Sequence, residues 1–153
     1  MRRAILLTVL SLSVLSLAGC GRDDTPKVKT GTDANGTQTV TVTDGKGTQV
    51  TMTGPGGSAN MPTFAPLYPG AIVETTITTP DKGGMVAFKT SATREDVIAF
   101  YKKAAAAAGL KDKMNMSSGD VVSYSASSQK PDHSLNITAS KSDDGTQVQV
   151  IWN

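Results

Sequence analysis

From residue 71 onward, apolar and polar residues alternate in short runs bounded by turn-forming residues, a pattern typical of β-strands. The runs cover residues 71–79, 85–90, 121–127, 134–141 and 147–152, with a shorter candidate at 113–116. In two of the later runs, every second residue is Ser, Thr or Asn. The sequence therefore predicts an antiparallel sheet with one covered face and one solvated face.

One segment between these runs has the periodicity of a helix. Thr93 is a suitable N-cap, acidic residues follow it in the first turn, and Gly109 stands where a C-terminal cap belongs. The predicted buried face comprises Val97, Tyr101, Ala104 and Ala108, with Ile98 and Ala105 beside it. Lys102 and Lys103 are predicted to face solvent. The order of elements predicts an α+β fold, a single helix packed on an antiparallel sheet (β-β-α-β-β-β).

The region before residue 62 is rich in Thr, Gly and Asp and poor in large apolar residues. Such a region buries too little surface to offset the entropy of ordering it, so we expect a flexible arm. Thr/Val alternation at residues 37–43 and 48–53 predicts a hairpin within the arm, which either frays or docks on the domain. A calcium loop starting at Asp33 is disfavoured, because its twelfth position is Asp44 and not glutamate.

The N-terminus carries an apolar stretch that follows two arginines and ends in Leu17-Ala18-Gly19-Cys20. The stretch is too short and too polar for a transmembrane helix and has the anatomy of a signal peptide. Its last four residues resemble the lipobox of bacterial lipoproteins. The resemblance implies cleavage between Gly19 and Cys20 and coupling of the Cys20 thiol to diacylglycerol, which anchors the chain in a membrane. An ordinary secretory signal with a cysteine beside the cut is the alternative.

These features divide the chain into three parts. We expect a lipoprotein signal peptide at residues 1–19, a lipidated cysteine and Thr/Gly-rich tether at residues 20–61, and an α+β domain at residues 62–153. No aspartate directly follows Cys20. By resemblance to enteric lipoproteins, this favours the periplasmic face of the outer membrane.

Charge and cysteine content exclude several classes of function. Removing Arg2 and Arg3 from the 15 basic residues leaves 13, which equals the 13 acidic residues. A near-neutral mature chain lacks the basic stripe that nucleic-acid binding requires, so we expect no nucleic-acid partner. Cys20 is the only cysteine, so its lipidation leaves no thiol for a disulfide, a zinc-cysteine site or a nucleophile.

Residues suited to catalysis are few. Asp132, His133 and Ser134 are adjacent, but neighbours in an extended segment point in different directions and cannot form a proton relay, so we expect a turn. The only glutamates are Glu74 and Glu95, and Glu95 is explained by its place at the helix start. No phosphate loop, nucleophile elbow or zinc spacing is present. We therefore expect no catalytic residues, no metal site and no cofactor.

A copper site is the alternative for the methionines. Met114 and Met116 are two residues apart on a predicted strand and so face the same way, and thioethers favour Cu(I). Met61, Met85 and His133 are candidates to complete such a site. Packing explains methionines equally well, because they fill irregular gaps.

Residues 66–153 resemble small bacterial envelope lipoproteins. The resemblance is carried by Tyr68-Pro69-Gly70-Ala71, the Thr-rich strands that follow, Phe100-Tyr101 in the helix and the glycine at its end. Those lipoproteins share the Tyr-Pro-Gly-Ala start and a strand-strand-helix-strand plan. The resemblance implies a fold and a location, but no activity.

Three functions are compatible with these features. The leading one is a non-enzymatic envelope lipoprotein that binds a partner protein or peptidoglycan through its solvated sheet face, an edge strand or the Thr-rich arm. The second is a small periplasmic carrier of an apolar ligand or Cu(I), and the third is an enzyme with an unrecognised site. A cavity under the alanine-lined helix would favour the carrier, whereas a filled core would favour the partner-binding module.

The lipid anchor leads to the first prediction. The Cys20→Ala substitution removes the thiol that accepts diacylglycerol, so the variant should lose its membrane association. Fractionation of cells expressing wild type and variant measures this loss. A variant that stays membrane-bound without detergent would show that the anchor hypothesis is wrong.

Overall fold

The computed structural model describes residues 25–32, 36–57, 59–129 and 132–153. The predicted signal peptide at residues 1–19, the cleavage site at Gly19 and the lipidation site Cys20 lie outside the described residues, as does Asp33. No helix in the described ranges is long and apolar enough to cross a membrane. The elements are β1 (Lys27–Thr32), β2 (Gln38–Thr43), β3 (Gln49–Thr53), β4 (Ile72–Thr79), β5 (Gly83–Thr90), α1 (Arg94–Ala107), β6 (Lys111–Ser118), β7 (Val121–Gln129), β8 (Asp132–Ser142) and β9 (Gly145–Trp152).

All nine described strands form one antiparallel sheet in the order β1-β2-β3-β4-β5-β9-β8-β7-β6. Strands β1 to β5 follow one another across one half of the sheet, and β6 to β9 return across the other half. The helix α1 connects the two halves, because it carries the chain from β5 to the far edge at β6. The prediction of one helix packed on an antiparallel sheet is confirmed.

The ends of α1 follow from local sequence. The Thr93 hydroxyl accepts a hydrogen bond from the Asp96 amide at 3.1 Å, which satisfies one of the free N–H groups of the first turn. At the other end, Gly109 adopts φ +76°, and the Leu110 amide donates to the Ala105 carbonyl at 2.9 Å. This hydrogen bond and the one from the Gly109 amide to Ala106 form a Schellman cap.

The core lies between α1 and the sheet. The helix contacts β6, β7 and β8 and buries Val97, Ile98, Tyr101 and Ala105. The sheet residues buried on the same side are Val73, Val86, Phe88, Val122, Tyr124, Ala126, Leu135, Ile137, Ala139, Val148, Val150 and Trp152. The predicted helix face is correct except at its C-terminal end, where Ala104 is half-buried and Ala108 is exposed.

The arm differs from the flexible tether that composition predicts. The predicted hairpin is present as β2 and β3, and β3 pairs with β4, so the hairpin extends the sheet. A further strand, β1, pairs with β2 and was not predicted, because its side chains are all exposed and only Val28 is large and apolar. Pairing across an existing edge supplies backbone hydrogen bonds that the composition of the arm does not reveal.

Four described strands follow the helix, so the short candidate strand is present in addition to the three of the predicted order. The short candidate at residues 113–116 is part of β6, an edge strand that pairs only with β7. All eight of its side chains are exposed, so it lacks the apolar alternation by which the other strands were recognised.

Substitution of Gly83 tests how closely β5 and β9 pack, with Gly70 as the control. Gly83 has φ +102°, and a Cβ atom there would overlap the backbone of Trp152, whereas Gly70 has φ +73° and no atom near its missing Cβ. We expect Gly70→Ala to cost about 1 kcal/mol of unfolding free energy through backbone strain alone. Gly83→Ala should cost about 3 kcal/mol or more, because the β5–β9 pairing must shift. Urea denaturation compares the two, and equal losses would show that the contact with Trp152 is unimportant.

Candidate apolar binding groove

The proline-rich segment, residues 59–71, lies beside the helix and is held there by aromatic contacts. The Tyr68 ring meets the Phe100 ring edge-on, with centroids 5.1 Å apart. Phe64 is buried and stacks on His133 with centroids 4.5 Å apart. These two contacts fix the segment to α1 on one side and to the start of β8 on the other.

Small-molecule sites usually measure about 300 to 1,000 Å³. The groove between the proline-rich segment and α1 measures 530 Å³ and lies within this range. Its lining residues are Thr63, Pro66, Phe100, Lys103, Ala104, Ala107 and Ala108. Most of this lining is apolar. The groove can therefore accept an apolar molecule from solvent.

Alanine accounts for the width of the groove. Ala104 is half-buried and Ala107 and Ala108 are exposed, so three successive positions along this flank of the helix carry only a methyl group. A larger apolar residue at any of them would project into the space. Among the described residues of the lining, Lys103 alone is ionisable, and its exposed ammonium can approach a negatively charged group on a bound molecule.

The space directly beneath the helix is filled. Tyr101, Tyr124 and Phe88 are among the largest fully buried side chains and occupy it together with aliphatic residues of the sheet. The Tyr101 hydroxyl has no hydrogen-bond partner among the described residues, although the Tyr68 backbone lies nearby. Burial raises the pKa of Tyr101 well above its ordinary value of 10.0, so this phenol stays neutral.

A second, smaller cleft opens on the other flank of the helix, next to β6. It measures 280 Å³, just under the usual range for ligand sites, and its lining includes Glu95, Lys102 and Asn115. The Lys102 ammonium lies 5.6 Å from the centre of the Tyr124 ring, and the Tyr124 hydroxyl donates to Asp112 at 2.6 Å. Burial, and then this hydrogen bond, raise the pKa of Tyr124. Because this cleft is smaller than the groove beside the proline-rich segment and its lining is more polar, we favour that groove as the binding site.

The three adjacent residues with the chemistry of a catalytic triad do not form a relay. They lie at the start of β8, not in a turn as predicted, so their side chains alternate between faces. His133 stacks on Phe64, while the Ser134 hydroxyl donates to the Asn153 side chain at 2.6 Å. His133 and Ser134 thus make separate structural contacts in this part of the chain.

The copper candidates are not brought together. Met114 and Met116 pair with Ser125 and Ser123, so both lie on the sheet face opposite the helix. Met85 lies on that face four strands away, about 19 Å at the usual strand spacing, and the other candidates lie on the helix side. Within the described ranges, no group of three or more His, Cys, Asp or Glu residues could hold a metal ion.

Glu74 and Asp44 have structural contacts. Glu74 accepts from the Gln147 side chain at 2.6 Å and pairs with Lys89 at 3.1 Å, and the hydrogen bond from Gln147 is the main reason that the pKa of Glu74 is lowered. Asp44 accepts backbone hydrogen bonds from Thr48 and Lys46, which lower the pKa of its carboxyl group. Asp44 thus stabilises the turn between β2 and β3, which accounts for it without calcium.

Sequence reasoning missed the groove. It predicts that Lys103 faces solvent and assigns no structural role to Pro62 and Pro66. The available signal was the alanine run at residues 104–108, whose outer part is not needed to cover the sheet. Only the packing of the proline-rich segment against Phe100 turns that run into one wall of a groove.

Comparison with known proteins adds a family. A START domain-like family model matches residues 72–150, which run from β4 through α1 into β9 and make up just over half of the 153 residues. Searches of curated proteins and of solved structures found no significant match. The match lies within the part of the chain that forms the helix and the sheet around it. The chain therefore belongs to the START domain-like family.

Proposed function

We propose that this protein is a non-enzymatic binding module of the bacterial cell envelope, anchored by lipid at Cys20. Its START domain-like part takes up an apolar molecule that carries a negative charge. The observation that supports this most directly is the groove beside α1, because its lining combines alanines and Phe100 with a single cation, Lys103.

The hydrophobic effect supplies most of the binding free energy in this proposal. Burying about 200 Å² of apolar ligand surface contributes about 5 kcal/mol before the entropic cost of association is subtracted. Lys103 is exposed, so its ion pair with the ligand adds at most about 1 kcal/mol. The cation selects which end of the ligand faces solvent and contributes little to affinity.

The N-terminal sequence supports the proposed location. The lipobox-like residues and the absence of aspartate after Cys20 support attachment to the periplasmic face of the outer membrane. The proposal assigns no reaction to the groove, because the described part of its lining offers one ionisable group, Lys103, and a catalytic site needs at least two convergent groups.

The filled space beneath the helix favours a second candidate, which is docking of an envelope protein or peptidoglycan on the surface of the domain. The two candidates differ in what accompanies the protein through purification. A retained small amphipathic molecule supports the groove, whereas in-cell crosslinking to one dominant protein partner supports surface docking.

A matched pair of tryptophan substitutions tests the groove. Ala107 lines it and Ala106 does not, yet both are exposed at the end of the same helix. The chain from residue 21, which contains every described element, would be titrated with decanoate by calorimetry. Ala107→Trp should weaken binding about tenfold or more by filling the groove, and Ala106→Trp should leave it unchanged. Equal affinities for the two variants would place the ligand elsewhere.

The adjacent lysines test the charge of the ligand. Lys103 lines the groove, whereas Lys102 lies over the Tyr124 ring. Lys103→Gln should weaken decanoate binding about two- to fivefold and leave binding of uncharged decan-1-ol unchanged. Lys102→Gln should affect neither ligand. If Lys103→Gln weakened both ligands equally, the lysine would contribute only apolar contact through its methylene groups.

A further inference from the structure

The sheet face opposite α1, here called the outer face, carries an uncovered apolar row. Strand register places residues of five neighbouring strands, β2, β3, β4, β5 and β9, directly beside one another on this face. The row consists of Val40, Met52, Ile77, Met85 and Ile151. None of the five belongs to the core cluster, and Met52 and Ile151 are 43% and 42% exposed.

The apolar residues of the hairpin point away from the core. On β2 and β3 the residues on the helix side are threonines, such as Thr39 beside Thr53, while Val42 and Val50 pair on the outer face. Val28 on β1 and Ile72 on β4 lie on the same outer face and are more than half exposed. A contiguous apolar surface of this kind marks an interaction site.

The polarity of the outer face changes across the sheet. Beyond β9, the residues on this face of β8 and β7 are polar, as at Asn136, Thr138, Ser123 and Ser125. The half of the outer face that carries the apolar row, here called the apolar half, covers β1 to β5 and β9 and begins closest in sequence to Cys20. It also carries the Glu74–Lys89 ion pair and Gln147. The far edge of this face is apolar again at Met114, Met116 and Val121, so the polar residues of β8 and β7 separate that edge from the apolar row.

The chain between the anchor and the sheet is short. Cys20 and Lys27, the first residue of β1, are seven residues apart, which spans at most about 25 Å when fully extended. Lys27 lies at the end of the sheet that also carries the β2–β3 and β4–β5 turns, with Lys46 and Lys82. Those turns also contain acidic residues, so the attraction of this end to anionic headgroups is weak and the apolar row supplies most of the contact.

The size of the apolar half argues against a second copy of the chain as its occupant. Six strands at the usual spacing and about five residues of length give an area of about 450 to 500 Å² per copy. Stable protein interfaces need about 800 Å² per partner. Contact with a bilayer does not need this minimum area, because the lipid anchor holds the domain beside the membrane at an effective concentration in the millimolar range.

We propose that the apolar half of the outer face rests on the surface of the bilayer that holds the lipid at Cys20. The helix and the groove then face away from the membrane, where the groove is open to ligands. This inference depends on the lipid anchor of the proposed function, but not on the groove having a ligand.

Introduced cysteines test the orientation, because Cys20 is the only native cysteine and its thiol is blocked when lipidated. Met52→Cys and Ile151→Cys place an environment-sensitive nitrobenzoxadiazole label on the apolar half, and Ser125→Cys and Thr138→Cys place it on the polar half. The labelled lipoproteins are reconstituted in phosphatidylethanolamine–phosphatidylglycerol vesicles containing lipids with a nitroxide near the headgroup. We expect the emission of the label to be blue-shifted at positions 52 and 151 relative to positions 125 and 138. Quenching of the label by the nitroxide should also be several-fold stronger at positions 52 and 151.

Each other outcome overturns the proposal. Equal, weak quenching at all four positions would show that the outer face stays in solvent. A blue shift at positions 52 and 151 without quenching by lipid, increasing with protein density, would identify a second copy as the occupant. Circular dichroism of each variant verifies folding before reconstitution.

The wild-type protein separates failure of this inference from failure of the anchor. Wild type should take up no label, because its one thiol is in a thioether bond. Labelling of wild type would disprove the lipid anchor before any vesicle measurement is made. An unlabelled wild type together with unquenched variants would disprove only the docking of the outer face.

Discussion

The pairing of β5 with β9 is the interaction on which the rest of the structure depends. It joins the half of the sheet built before the helix to the half built after it, from Gly84 beside Trp152 to Thr90 beside Thr146. Glycine allows the closest part of this approach, and the Thr146 hydroxyl secures the other end by donating to the Ala92 carbonyl at 2.7 Å. Because the pairing fixes β9, it also fixes where β8, β7 and β6 lie and hence what α1 can cover.

The position of α1 explains why a groove exists at all. The helix lies over β6 to β8, so the core beside it must be closed by the proline-rich segment, which contributes the buried Phe64 and Ala65. The helix and the irregular proline-rich segment meet beside the core, and the short alanine side chains of α1 leave a gap between them. Large side chains of α1 therefore pack densely against the sheet, while its alanines leave an open groove at the flank of the helix.

Local chemistry made the helix and seven of the nine described strands predictable, with β6 as a shorter candidate. Thr93 and Gly109 mark helix ends through backbone hydrogen bonds with near neighbours, and alternation in residues 134–141 reflects burial on one face of a single strand. The missed features depend on partners distant in sequence. Strand β1 is held by pairing with β2, and the groove needs Pro66 beside Ala107. Neither the β1–β2 pairing nor the proximity of Pro66 to Ala107 produces a periodic pattern of apolar residues in the sequence.

Alternation in a strand reveals its period, but not which face its apolar residues occupy. In the hairpin that face is decided by register, because Thr53 pairs with the buried Thr76 and so places Met52 beside Ile77 on the outer face. A shift of one residue would turn the valines toward the helix side, but α1 lies over β6 to β8 and does not cover the hairpin there. The threonines instead meet the polar backbone around Gly57, which packs against Thr53 and Thr37. The apolar row on the outer face is thus a consequence of the register that the helix side of the hairpin favours.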